Sequence, residues 1–159
     1  PVYRNASLYL RYAEAVNRLN KPNLAFATLK HGLNIVTLNT TTMVPSIETS
    51  GRPEYMNFND PRFRENIGVH ARGCGFTEKA NDYKIPSLGS MLDSVEWVEE
   101  QIVNEYALEC AFEGNRFHDL MRVALRRGNP KYLAEKVGKK NPAVQTKLET
   151  VSNWYLPTK

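Results

Sequence analysis

A chain of 159 residues, 42 % apolar and 24 % charged, is long enough for a domain with its own core and ordinary in composition for a globular fold. Its formal charge of +4 is small, and the basic residues alternate with acids instead of forming a stripe interleaved with aromatics, which sets nucleic-acid binding aside. Cys74 and Cys110 fit no zinc spacing, and no apolar run has the length of a membrane span.

In chain order, Asn5 reads as the cap of a helix running to about Leu19, with Leu8, Tyr12, Ala15, Val16 and Leu19 at helical spacing. Arg11, Glu14, Asn17 and Arg18 fall on the opposite, polar side. A short turn at Asn20-Lys21-Pro22-Asn23 follows. Asn23 then reads as the cap of a second helix, Leu24 to about Val36. A turn this short makes the two helices antiparallel neighbours. Tyr12-Ala13-Glu14-Ala15 before the turn and Ala25-Phe26-Ala27 after it resemble one tetratricopeptide-type unit. One such unit cannot bury its faces alone and needs neighbours.

From residue 37 to 92 no long helical period appears, and turn dipeptides such as Ser50-Gly51, Asp60-Pro61 and Ile85-Pro86 recur. A loop of this length within a compact fold is uncommon unless it is functional or partly disordered. It carries Tyr55, Phe58, Phe63, Phe76 and Tyr83 among Arg52, Arg62, Arg64 and Arg72. Aromatic faces and guanidinium groups suit stacking and polar contacts to an extended ligand. Tyr55, Phe58, Arg62, Arg72 and Tyr83 are the candidate ligand-binding residues. The competing reading is that these aromatics pin the loop onto the helices. His31 and His70 have no ligand pattern around them, so no metal is expected.

The third helix reads as opening on Asp93, with Glu96 as its reciprocal carboxylate. Val95, Val98, Ile102, Tyr106, Cys110 and Ala111 give it a wide apolar face. Cys110 reads as a buried thiol, and a pairing with Cys74 stays open. The chain breaks at Gly114-Asn115, and Phe117, Leu120, Met121, Ala124 and Leu125 mark a fourth helix ending at Gly128. Asn129-Pro130 starts a fifth, to about Val137. Asn141-Pro142 begins a weak helical stretch, and Ser152 to Lys159 reads as an extended aromatic tail.

Charged residues crowd the break after the third helix, yet the patterns of hydrolytic and metal sites are missing. There is no H-E-x-x-H, no Glu-x-x-His and no G-x-S-x-G. Glu113, Arg116, Asp119 and Arg122 alternate in sign at intervals of three, which suits an ion-pair ladder at a structural joint, with Gly114 supplying the bend. The spacing therefore points away from catalysis, and no cofactor is expected.

Phe112-Glu113-Gly114-Asn115-Arg116-Phe117-His118-Asp119-Leu120-Met121-Arg122 resembles the signature of the SusD/RagB family of Bacteroidetes surface lipoproteins. Leu8 to Leu19, Gly68 to Gly75 and Asn153-Trp154-Tyr155-Leu156-Pro157 are similar to family segments as well. The resemblance implies a mostly α fold of tetratricopeptide-like helical pairs with a long irregular loop region. In that frame the chain is the C-terminal portion of such a domain: a helix pair over 1–36, the irregular region over 37–92, and a helical part over 93–159. It further implies a protein of the outer membrane and cell surface, held by an N-terminal lipid absent from this chain. It would capture a glycan or peptide and deliver it to a SusC-like TonB-dependent transporter. The signature itself is a packing motif. A different class of function, a helical scaffold that binds a protein partner and no small ligand, is the alternative; a helical hydrolase is a third.

Overall fold

The computed structural model describes residues 4–70 and 84–155, and all regular structure among them is helical. It divides into two compact units, Pro1–Glu109 and Cys110–Lys159, so the long third helix belongs with the N-terminal pair.

In the first unit, α1 (Asn5–Arg18) and α2 (Pro22–Lys30) form the expected antiparallel pair, and α5 (Met91–Glu109) packs against both. This triple contact changes which residues of α1 are inside. Leu10, Ala13 and Val16 are buried, but so are Glu14 and Asn17, while Leu8 and Leu19 stand exposed. The polar side of α1 is therefore an inner side. Asn17 is tolerated there because its amide donates to the Val95 carbonyl at 2.8 Å. Glu14 is flanked by Arg18 and by Arg11, the latter at 3.8 Å. Phe26 meets Trp97 between α2 and α5, with ring centroids 5.5 Å apart. Arg11 lies over the Tyr106 ring at 5.1 Å. Arg4 donates at 2.6 Å to the Glu109 carbonyl, placing a cation at the C-terminal end of α5 where the helix dipole favours it.

Asn5 and Asn23 do not cap. The cap positions are Arg4 and Lys21, neither with a capping side chain, and Asn5 and Asn23 lie within the helices. The free N–H groups at the start of α2 go to Glu48 instead. This carboxylate, 4 % exposed, accepts from Leu24 N at 2.8 Å and from the Asn23 side-chain amide at 2.6 Å.

The second helix also ends earlier than its apolar spacing indicates. It stops at Lys30, and a separate short helix, α3 (Ile35–Asn39), follows, capped by Asn34 accepting from Thr37 N at 2.9 Å. The reason is a crossing of two backbones. Gly32 has φ +88°, and a Cβ there would sit 2.0 Å from the Asn66 carbonyl oxygen. A Cβ on Gly68 would sit 2.2 Å from the Leu29 oxygen. Asn66 fastens the crossing: it accepts from Leu33 N at 3.0 Å, takes the Asn34 amide on its carbonyl, and donates to the Tyr9 hydroxyl at 2.5 Å. Between the crossing strands run α4 (Ser46–Thr49) and single 3-10 turns at Glu54–Met56 and Pro61–Phe63.

The start of α5 is set one turn's edge earlier than Asp93. Ser90 is the capping residue: its hydroxyl accepts from Asp93 N at 3.2 Å and donates to the Asp93 carboxylate at 2.8 Å.

In the second unit, α6 (Arg116–Arg127) packs on α7 (Pro130–Gly138), burying Leu120, Val123 and Ala124 on one and Tyr132, Leu133 and Ala134 on the other. The link follows its sequence signals. Gly128 adopts φ +58°, Gly128 N bonds Leu125 O at 3.1 Å and Asn129 N bonds Ala124 O at 3.0 Å, which satisfies the last carbonyls of α6. Asn129 then caps α7 through Lys131 N at 3.1 Å. After α8 (Gln145–Leu148) the chain does not extend as expected over the described residues. Val151–Trp154 is a 3-10 turn, and Trp154 is buried with its indole N–H on the Leu148 carbonyl at 2.6 Å. The carbonyls left over at the end of α8 hold the tail in.

Candidate functional site

The loop side of the first unit carries two clefts that share one wall, Phe63. One, of about 250 Å³, is lined by Glu54, Tyr55, Asn57, Phe58, Asn59, Asp60 and Phe63. The other, of about 400 Å³, is lined by Asn5, Leu8, Tyr9, Arg62 and Phe63. Local geometry fixes the walls. Asp60 caps the second 3-10 turn by accepting from Arg62 N at 2.9 Å, which presents Phe63 one residue later. Phe58 takes φ +50° and stands edge-on to both Phe63, at 5.3 Å between centroids, and Tyr12, at 5.7 Å. Phe58 thereby ties the loop to α1 and still lines a cleft, so pinning and lining are not alternatives at this residue. Burial raises the Tyr12 hydroxyl pKa, partly offset by the Arg52 charge.

Tyr55 is 81 % exposed and forms an open lip of the first cleft. Arg62 lies in the second cleft, but its guanidinium is engaged: Nε and one terminal nitrogen each donate to an Asp60 carboxylate oxygen at 2.9 Å. The Arg62 hydrogen bonds hold the Asp60 carboxyl down at about 2. The structure thus brings Tyr55, Phe58 and Arg62 around Phe63. Arg72 and Tyr83 lie outside the described residues, as does Cys74. Sequence reasoning did not single out Asn5, Leu8, Tyr9 or Phe63 as lining residues. Leu8 and Tyr9 sit in a helical pattern that reads as core, and only the return of the loop onto α1 makes them a cleft wall.

A separate cleft of about 200 Å³ near the end of α2 is lined by Phe26, Lys30, His31, Met43, Lys84 and Ile85 among others. Lys30 there sits in the last helical turn, where the dipole favours a cation. His70 meets the buried Glu105 at 2.5 Å between Nδ1 and Oε1; burial raises the Glu105 pKa, and His70 partly offsets it. Among the described residues no group of three or more His, Cys, Asp or Glu side chains is arranged to hold a metal ion.

At the charged break, Gly114 has φ +75° and Phe112 φ +65°. Glu113 and Gly114 are exposed, and Arg116 is the first residue of α6. Asp119, 3 % exposed, pairs with Arg122 at 3.2 Å. These groups line none of the three clefts.

No helix among the described residues is long and apolar enough to cross a membrane. Residues 69–157, more than half of the chain, match the family model described as the SusD family. No curated protein and no solved structure matches the chain. The matched span begins just after the residues that line the two clefts around Phe63.

Proposed function

The chain belongs to the SusD family, and on that premise we propose that it captures an oligosaccharide or short peptide and passes it to a SusC-like TonB-dependent transporter of the outer membrane. The family is one of nutrient-binding proteins of the cell surface, and its members bind and do not catalyse. The observation that carries the reading is the family match across residues 69–157. The clefts around Phe63 support it, because open aromatic walls with a few polar groups suit reversible capture. Among the described residues that line them, nothing resembles a nucleophile with its base.

The test has two arms on the intact protein: calorimetric titration with oligosaccharides and peptides, and co-purification with the transporter from detergent-extracted outer membranes. Binding of one ligand class together with transporter retention is expected. Tight transporter association with no ligand of either class would replace this reading with that of a protein-binding scaffold. Altered oligosaccharide products on chromatography would replace it with a hydrolase.

A further inference from the structure

Asn23, Phe26, Ala27 and Lys30 follow one another at intervals of three and four, which lines them up along one side of α2. The cleft of about 200 Å³ near the end of that helix runs along this side and reaches His31. Its other wall comes from two segments far apart in sequence, Thr42 and Met43 after α3 and Lys84 and Ile85 ahead of α5. The helix wall is held in place: Phe26 and Ala27 are buried, and Phe26 packs on Trp97. Among the described residues that line the cleft, Lys30, His31 and Lys84 are basic and none is acidic. Glu48 reaches the lining through Asn23, but its carboxylate is buried and accepts from the Asn23 amide and Leu24 N. The C-terminal end of a helix disfavours an anion. Here the last turn closes on itself, the Ala27 carbonyl taking His31 N at 2.8 Å and Gly32 N at 3.0 Å, and Lys30 sets a positive charge at that end. The Asn23 amide and the Thr42 hydroxyl add uncharged donors. Phe26, Ala27, Met43 and Ile85 are the apolar part of the lining. Two lysines brought from separate segments onto one apolar slot match an anionic head carried on a compact apolar body. The volume is below the roughly 300–1,000 Å³ of sites for drug-sized ligands, which leaves room for a head and one ring or a short chain.

We propose that this cleft binds a small amphiphilic anion, a carboxylate or phosphate on a single ring or short chain, with Lys30 and Lys84 holding the head and Phe26 and Met43 meeting the apolar body. The cleft shares no lining residue with the two around Phe63, so this site stands or falls separately from the capture function.

The experiment titrates the intact protein with benzoate, phenyl phosphate, benzyl alcohol, benzylamine and inorganic phosphate, read by calorimetry and saturation-transfer NMR up to millimolar concentration. Benzoate or phenyl phosphate is expected to bind, and the tighter of the two identifies the head group. Benzyl alcohol and benzylamine should bind at least tenfold more weakly. Raising salt from about 0.05 M to about 0.5 M should weaken the acids at least threefold. Lys84→Gln alters an exposed side chain, and Lys30→Gln keeps a good helix former. Each should weaken the tighter acid at least threefold, and the double variant at least tenfold, with the far-ultraviolet spectrum of the native protein retained. Met43→Ala, at an exposed position, should weaken phenyl phosphate and leave inorganic phosphate unchanged. Benzyl alcohol binding as tightly as benzoate would overturn the anionic head. Inorganic phosphate binding as tightly as phenyl phosphate would overturn the apolar body. Acids held equally well by the double lysine variant, or neither acid bound, would overturn the site itself.

Discussion

Glu48 holds the start of α2 from a distance of more than twenty residues, and replacing it tests how much that contact contributes. In the native protein its carboxylate accepts from Leu24 N and the Asn23 amide and sits at the positive end of a helix. A hydrogen bond to a charged group contributes about 1.5–3 kcal/mol, and a buried N–H left without an acceptor costs about 1–3 kcal/mol. The dipole adds about 0.3–1 kcal/mol. Burying the carboxylate costs energy that its removal returns, so the terms do not simply add. Glu48→Ala should lower the stability of the first unit by about 3 kcal/mol, on the order of 10 °C in Tm for a unit of this size. Glu48→Gln keeps one acceptor oxygen, for Leu24 N, but loses the charge and sets an NH2 against the Asn23 amide, so it should cost about 2 kcal/mol. Urea titration followed by far-ultraviolet circular dichroism measures both. The account fails if the alanine variant loses less than about 1 kcal/mol, or if glutamine is as damaging as alanine.

Gly32→Ala should destabilise the first unit by more than 3 kcal/mol or prevent folding, because its Cβ would overlap the Asn66 carbonyl and overpacking alone costs about 1–3 kcal/mol. Gly51→Ala shares a positive φ but has open space, so thermal melts should show only about 1–2 kcal/mol. The Asp60 carboxyl should titrate near 2 by carbon-detected NMR and rise toward the ordinary carboxylate range in Arg62→Ala, without reaching it because the residue 62 N–H still donates. Because that pKa is lowered in the fold, the stabilisation from the pair is present above the ordinary carboxylate range and is lost as pH falls through about 2. Glu105 has the opposite sign. Burial raises its pKa, so the stability it contributes is present below the ordinary carboxylate pKa and is lost as pH rises through the raised value. Glu105→Gln should therefore gain stability over the native protein as pH rises above the ordinary carboxylate range, measured by urea unfolding; a difference that stays constant with pH would contradict the assignment.

What could be read from the chain in advance was whatever short-range signals control. The helix pair, the loop's irregularity and the Ala124-to-Asn129 turn all depend on neighbours within a few residues. The misassignments within the first helix pair share one cause, a partner far away in sequence. Glu14 and Asn17 look solvent-facing until α5 covers them, and Leu8 looks like core until the loop leaves it at a cleft. The apolar spacing through Leu33 and Val36 reads as one helix because nothing nearby announces that Asn66 will occupy the space beside Gly32. The same holds for the site. Aromatics in a polar loop could be picked out by type, and Tyr55 and Phe58 among them line a cleft. The pairing that spends the Arg62 charge is local, yet the wall formed by Asn5 and Tyr9 required the fold.

The crossing at Gly32 and Gly68 has a consequence for how such a protein can diversify. It closes the chain between Leu33 and Asn66 into a loop whose two ends are fixed to each other and to Tyr9. Lengthening a closed loop is cheap, about 0.6 kcal/mol for each doubling. The exposed part of that segment around Tyr55 can thus be rewritten or lengthened, provided Glu48 and the buried Leu38 and Val44 keep their places. A lineage facing a new nutrient would need to alter only what is inside the clasp.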